Sequence, residues 1–263
     1  MKRWILLFLA FLGFGAIKVQ IESNLLHHQK SEGFQLARLN LDLRGQLSQN
    51  SFVAALSGFR AVIADILWIQ SLEVANREEW GRLKLMMDSA TQLQPKSVIF
   101  WNMAHQRMAL DASIAERLNE KKQPNEFLRR KVEREYQQLG ERYLLDGIEF
   151  NPDSALLYER LGDLYSRKFY DHSKAAEAYA EACKRPGAMQ YLRRSVVYEI
   201  EKVPGREKEA YQKLKALYDE GPQQHLPTVL ILLNKLQRKL DIPKDQWIPE
   251  TYIPRNSTPK IQP

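Results

Sequence analysis

An all-α body of stacked antiparallel helix pairs, set behind an N-terminal membrane helix, is the fold class this chain of 263 residues predicts. Three observations carry it. From residue 52 to residue 240, apolar side chains recur at steps of three and four, the period of a helix with one buried face. Prolines, as in the Gln94-Pro95 and Asn151-Pro152 breaks, cut that run into helix-sized stretches, and no strand-rich region interrupts them. Ahead of them, Met1-Lys2-Arg3 is basic and Trp4 to Ile17 carries no charged side chain, the layout of a targeting or anchoring segment.

The N-terminal element comes first. Its strictly apolar run is shorter than the roughly 20 residues of a spanning helix. Val19 and Ile21 extend it past Lys18, whose stem can snorkel to the headgroups. Gly13-Phe14-Gly15-Ala16 offers small residues to a signal peptidase, so a cleaved, secreted form stands as the alternative. No cysteine lies just after the apolar run, which excludes a lipoprotein anchor. The reading adopted is an uncleaved signal anchor over residues 1–21 in a bacterial inner membrane. Lys2 and Arg3 then stay cytoplasmic and the body is periplasmic, because basic residues are retained on the cytoplasmic side.

Residues 22–50 read as a juxtamembrane stalk, with a short alternation at Leu39, Leu41 and Leu43. Residues 51–240 read as the helical domain. Its first helix carries Phe52, Leu56, Phe59, Ile63, Ile66, Leu67 and Ile69, with Ser48, Asn50 and Ser51 as candidate caps. Helices are expected at 80–93, ending before Pro95, and from Val98 to about Leu110. An insertion at about 111–125 follows, with Lys121-Lys122-Gln123-Pro124 as a loop. Asn125 caps a helix to Phe150, about 37 Å long at 1.5 Å per residue. Further helices are expected at 155–170, 173–184, 189–202, 207–218 and 228–240. Residues 241–263 hold five of the 12 prolines and read as an extended tail.

The helices repeat. Tyr158, Leu161, Gly162 and Tyr165 occupy relative positions 4, 7, 8 and 11 of one helix, and Ala175, Tyr179 and Ala182 follow at steps of four and three before Pro186. The small residues allow two helices to approach closely while the aromatics fill the space between units. This unit resembles the tetratricopeptide repeat. Looser units match before it, with Trp101 at the aromatic position and Met108 at the tyrosine position, and after it, with Tyr191, Tyr198, Ala210, Leu214 and Leu217. The resemblance spans about residues 59–218. It implies a right-handed α-solenoid whose first helices line a groove for a protein or peptide. By position, that groove would hold Asn102, Gln106, Glu159, Asp163, Arg167, Leu192, Val196 and Glu199. The Lys and Asn pattern by which chaperone-binding members clamp a C-terminal carboxylate is missing.

Composition narrows the chemistry. The formal net charge is +7, and residues 160–215 hold thirteen cations against eight acids, a local excess of +5. Lys184-Arg185 and Arg193-Arg194 are therefore candidates for lipid headgroups or an anionic envelope polymer, which gives the rival reading of an accessory factor or enzyme of polymer assembly. The alternating charges early in the long helix read as a solvated face, and no nucleic-acid partner is expected. One cysteine, Cys183, rules out a disulfide framework. His27, His28, His105, His172 and His225 form no ligand pair at helical spacing with a carboxylate beside it, and no phosphate loop or nucleophile elbow occurs. No catalytic residue, metal or cofactor is expected. His105 falls where the repeat wants a small residue and reads as packed. Asp65, inside the apolar stretch Ala61 to Ile69, requires a partner or a place at the solvent edge.

Overall fold

The computed structural model describes residues 58–248. The anchor at 1–21, the stalk at 22–50, the candidate caps Ser48, Asn50 and Ser51, and the tail beyond 248 lie outside the described residues. Those described are helical, with no strand among them.

Helix α1 (Arg60–Asn76) begins behind Gly58, whose φ of +88° does not suit a continuous right-handed helix. It ends at a left-handed residue, Glu78 (φ +56°), with the Glu79 amide donating back to the Val74 carbonyl at 3.2 Å and the Glu78 amide to Ala75 at 3.0 Å. This reciprocal pair satisfies carbonyls that the helix end leaves open. Helix α2 (Trp80–Leu93) follows at once and packs along α1.

Between Val98 and Leu118 the chain is helical throughout: α3 (Val98–Gln106), a π-helical stretch (Arg107–Ala112) and α4 (Ser113–Leu118). The insertion expected at 111–125 is therefore mostly helix, and only residues 119–125 connect. It lengthens both arms of a hairpin, and the expected loop 121–124 falls within that connection. The returning arm, α5 (Glu126–Phe150), starts as expected: Asn125 Oδ1 accepts from the Phe127 amide at 2.9 Å and from Leu128 at 3.3 Å, which satisfies two amides of the first turn. The arms are antiparallel, because Gly140 faces Ala109 and Gly147 faces Trp101.

Helix α6 (Ala155–Leu164) continues into a second π stretch (Tyr165–Phe169) that ends on left-handed Tyr170. The two π stretches occupy corresponding places, starting nine residues after Val98 and ten after Ala155. Helices α7 (His172–Cys183), α8 (Tyr191–Glu201), α9 (Glu207–Asp219) and α10 (Pro227–Lys239) complete the domain, each packed against the one before it.

The positions that carried the repeat spacing are packed ones. Leu161, Tyr165, Ala175, Tyr179 and Ala182 are buried, and Gly162 lies against the Tyr179 ring. Trp101 stacks on Phe150 at 5.8 Å, and its Nε1 donates to the Pro95 carbonyl at 2.8 Å. That carbonyl also accepts from Asn151 Nδ2 at 2.9 Å, so the turns before α3 and after α5 are tied together. Tyr158 receives the Arg185 guanidinium over its ring, 4.2 Å from the centroid. Two apolar clusters run along the stack. One joins α1 to α8 through residues such as Leu83, Met108, Leu144, Leu157 and Leu192. The other joins α7 to α10 through Val197, Leu214, Leu233 and Leu236. The first residues of the expected extended tail are not extended. A 3₁₀ turn (Lys244–Gln246) brings Trp247 Nε1 to the Ile242 carbonyl at 2.8 Å and buries Ile248 in the second cluster, because the apolar pair Trp247-Ile248 finds uncovered surface on α10.

Candidate functional site

The first arms of successive hairpins, α3, α6 and α8, carry the eight groove positions. Asn102 and Gln106 lie on α3 and are half-buried. Glu159 and Asp163 lie on α6, and Arg167, on the π stretch, has a side chain 76% exposed. The structure brings the α3 and α6 positions onto touching helices. The α8 positions are different. Leu192 is fully buried and is part of the first apolar cluster, on a helix packed along α7. Val196 borders both clusters. Glu199 is 5% exposed. Leu192 and Glu199 thus serve the interior, not an open groove.

The acidic groove positions are tied down by neighbours on other helices. Glu159 Oε1 accepts from the Tyr191 hydroxyl at 2.7 Å and meets Arg160 Nη1 at 3.2 Å. Asp163 accepts from Tyr179 at 2.9 Å, from Arg160 at 3.0 Å, and pairs with Arg167 at 3.4 Å. Glu199 accepts from Ser166 at 3.0 Å, from Lys202 at 2.7 Å, and sits 2.7 Å from His172 Nδ1. Burial alone would raise the Glu199 carboxyl, but these three donors together hold it below the usual carboxylate range. Tyr191 is pushed up to about 12 by burial and by its bond to Glu159. Tyr179 is raised in the same way, by burial and then by Asp163. Each carboxylate therefore stitches one helix to the next. Tyr191→Phe is expected to cost about 1 kcal/mol, the usual worth of a hydrogen bond to a charged acceptor at a half-open site, seen as a lower urea midpoint with an unchanged slope.

The partners Arg160, Ser166 and His172 were not marked as site residues by sequence, and Tyr179 and Tyr191 were marked only for their places in the repeat spacing. A signal for them existed: Glu159 and Glu199 each sit inside an apolar helical stretch, and a carboxylate there demands donors. Asn102 Oδ1 on α3 and Arg160 Nε on α6 are among the buried side-chain atoms without a hydrogen-bond partner, as are Trp80 Nε1, Arg129 Nε and the Gln237 amide elsewhere in the fold.

The other candidates separate clearly. Asp65 is exposed at the edge of α1. His105 is 3% exposed, with Nδ1 3.3 Å from the Gly140 carbonyl. Since a carbonyl only accepts, Nδ1 carries the proton. Cys183 is half-buried, and burial pushes its thiol up. It borders a cavity of about 290 Å³ between α7, α8 and α9, lined also by Arg193, Val196, Lys213 and Leu217. The cations proposed for an anionic polymer hold acceptors of their own chain: Lys184 and Arg185 on Glu181, Arg193 on Glu220, and Arg194 on Gln224. Among the described residues no group of three or more His, Cys, Asp and Glu is placed to hold a metal ion, and no helix is long and apolar enough to cross a membrane. No protein-family model matches the chain, and no curated protein matches it either.

Proposed function

We propose that the helix pairs stack as a tetratricopeptide-like solenoid and that the chain is a non-enzymatic scaffold. It holds a protein or peptide across α3 and α6, near a membrane to which residues 1–21 anchor it. The observation that carries this reading is the contact between first arms α3 and α6, which sets half-buried Asn102 and Gln106 beside a helix that runs on into exposed Arg167. An extended peptide laid across these arms would offer main-chain N–H and C=O groups to the amide side chains of Asn102 and Gln106 and an acceptor to the Arg167 guanidinium. The anchor would raise the local concentration of the scaffold for a partner at the same membrane.

The binding test uses residues that the fold does not need. Glu159 and Asp163 are poor choices, because reversing either also cuts Tyr191 or Tyr179 loose. Arg167→Gln, which removes the charge without setting a second carboxylate beside Asp163, combined with Gln106→Ala is expected to lower recovery of co-purified partners from native membranes at least about tenfold, the loss of two modest contacts, with helicity unchanged. Undiminished recovery overturns the groove. The rival, an envelope-polymer factor, is less favoured because its proposed cations already hold carboxylates or amides of their own chain; steeply salt-sensitive binding to an acidic polymer would restore it.

A further inference from the structure

The lengthened hairpin ends in a tip that the peptide groove does not use. Helix α5 has 25 residues and α7, in the next pair, has 12, a difference of roughly 20 Å in length. Arg134 meets that next pair: its guanidinium lies 3.8 Å from the centroid of the Phe169 ring and its Nη1 reaches the Lys168 carbonyl. Phe127 stands seven residues earlier, about 10 Å further out.

At the tip, large apolar side chains face solvent. Leu118 is 72% exposed and Phe127 73%, with Ile114 at 44% and Leu128 at 38%. Cations surround them. Residues 116–131 hold Arg117, Lys121, Lys122, Arg129, Arg130 and Lys131 against Glu116, Glu120 and Glu126, six minus three, or +3. The three acids are taken up by Lys122, Arg129, Arg117 and Arg130. Lys121 and Lys131 are exposed and hold no carboxylate among the described residues. Lys131 follows Phe127 by four residues and so shares its face of α5.

We infer that this tip docks on an anionic lipid surface, with Leu118 and Phe127 entering the interface and Lys121 and Lys131 on the headgroups. Charge complementarity selects the occupant. A protruding turn of apolar side chains ringed by lysines is matched by a deformable phase that is anionic outside and apolar beneath. Lysine stems can lie along the apolar layer while the ammonium groups stay among phosphates. A protein partner would instead need a preformed socket for a convex tip. The docking would give the hairpin extension a task that repeat packing does not require, and it stands independently of the groove.

The test uses the full-length chain reconstituted in vesicles, with Cys183→Ser and an environment-sensitive dye on Pro124→Cys, in the connecting loop. A second preparation carries the dye on Ile231→Cys, an exposed position on α10. In vesicles of phosphatidylcholine with phosphatidylglycerol, the dye at 124 is expected to shift to the blue and to be quenched by a nitroxide lipid. The dye at 231 should stay in water. Lys121→Gln with Lys131→Gln should lower the ratio of buried to exposed dye roughly 25-fold, about fivefold for each lysine, and replacing the anionic lipid by phosphatidylcholine alone should lower it at least as far. Unchanged circular dichroism in the variant separates lost docking from lost fold. A dye at 124 as wet as that at 231 on anionic vesicles overturns the proposal and leaves the tip to a protein partner. Burial that ignores the anionic lipid also overturns it.

Discussion

Gly140→Ala will lower the melting temperature of this protein, and Gly81→Ala will not. A Cβ at residue 140 would lie 2.4 Å from the Ala109 Cβ and 3.0–3.1 Å from the Ala109 backbone. Backbone cannot swing aside as a side-chain tip can, so α5 and the π stretch must move apart. That breaks contacts along a hairpin that both apolar arms depend on. Overpacking of this kind costs about 1–3 kcal/mol, against a gain of up to about 1 kcal/mol from helix propensity. The expected net loss is about 2 kcal/mol, a drop of roughly 4–8 °C for a domain of this size. At Gly81, on the outer face of α2, a Cβ meets nothing within 4 Å. There the same change is expected to stabilise by about 0.4–1 kcal/mol, because only the unfolded chain loses freedom. Thermal melts of both variants check the pair. Equal shifts of one sign would remove the close approach from the explanation.

The second large effect belongs to the residue opposite Gly140. His105 is lowered from 6.5 to about 4, first by burial and also by the Arg160 charge, with the Gly140 carbonyl and Asp163 pulling the other way. The folded state therefore keeps the imidazole neutral where the unfolded chain protonates it. The associated stability is fully present above pH 6.5. It is lost as the pH falls from there towards 4, because the unfolded state takes up a proton that the folded state refuses. Integrated over that window the loss is about 3 kcal/mol. Urea titrations at intervals from pH 7 to 4 are expected to show it. His105→Gln keeps a donor for the Gly140 carbonyl and removes the titration, so its stability should fall less over the same window. Glu199, held low by Ser166, His172 and Lys202, adds a loss in the same direction at lower pH, below the ordinary carboxylate range. A variant that tracks the parent protein through the whole range would rule out His105 as the source.

These two residues also show how far the chain can be read unaided. That His105 is packed followed from its place in the repeat spacing, where a small residue is wanted. What it packs against did not follow, since Gly140 is 35 residues away across a connection of irregular length. Helices such as α2 and α5 were legible to within a residue because their signals are local: Pro95 after the one, Asn125 and Asn151-Pro152 around the other. The stretch after Leu110 was misplaced because continuing a helix through a π turn leaves no proline, glycine or cap to mark it. Leu192 and Glu199 were assigned to a groove by register alone. Register names a helix face but does not say how deep the neighbouring pair will cover it.

Sequence by itself determined the helical class and the helix ends from α5 onward to within about two residues, which depend on side chains within a turn or two of each other; it missed both ends of α1, where Phe59 lies outside the helix, and the run past Leu110. Tertiary packing decided which carboxylates became struts, which cations were spent on their own chain, and which apolar side chains stayed in solvent at the hairpin tip. Those outcomes depend on distances between residues tens of positions apart, and such distances are set by how closely one helix can lie on another.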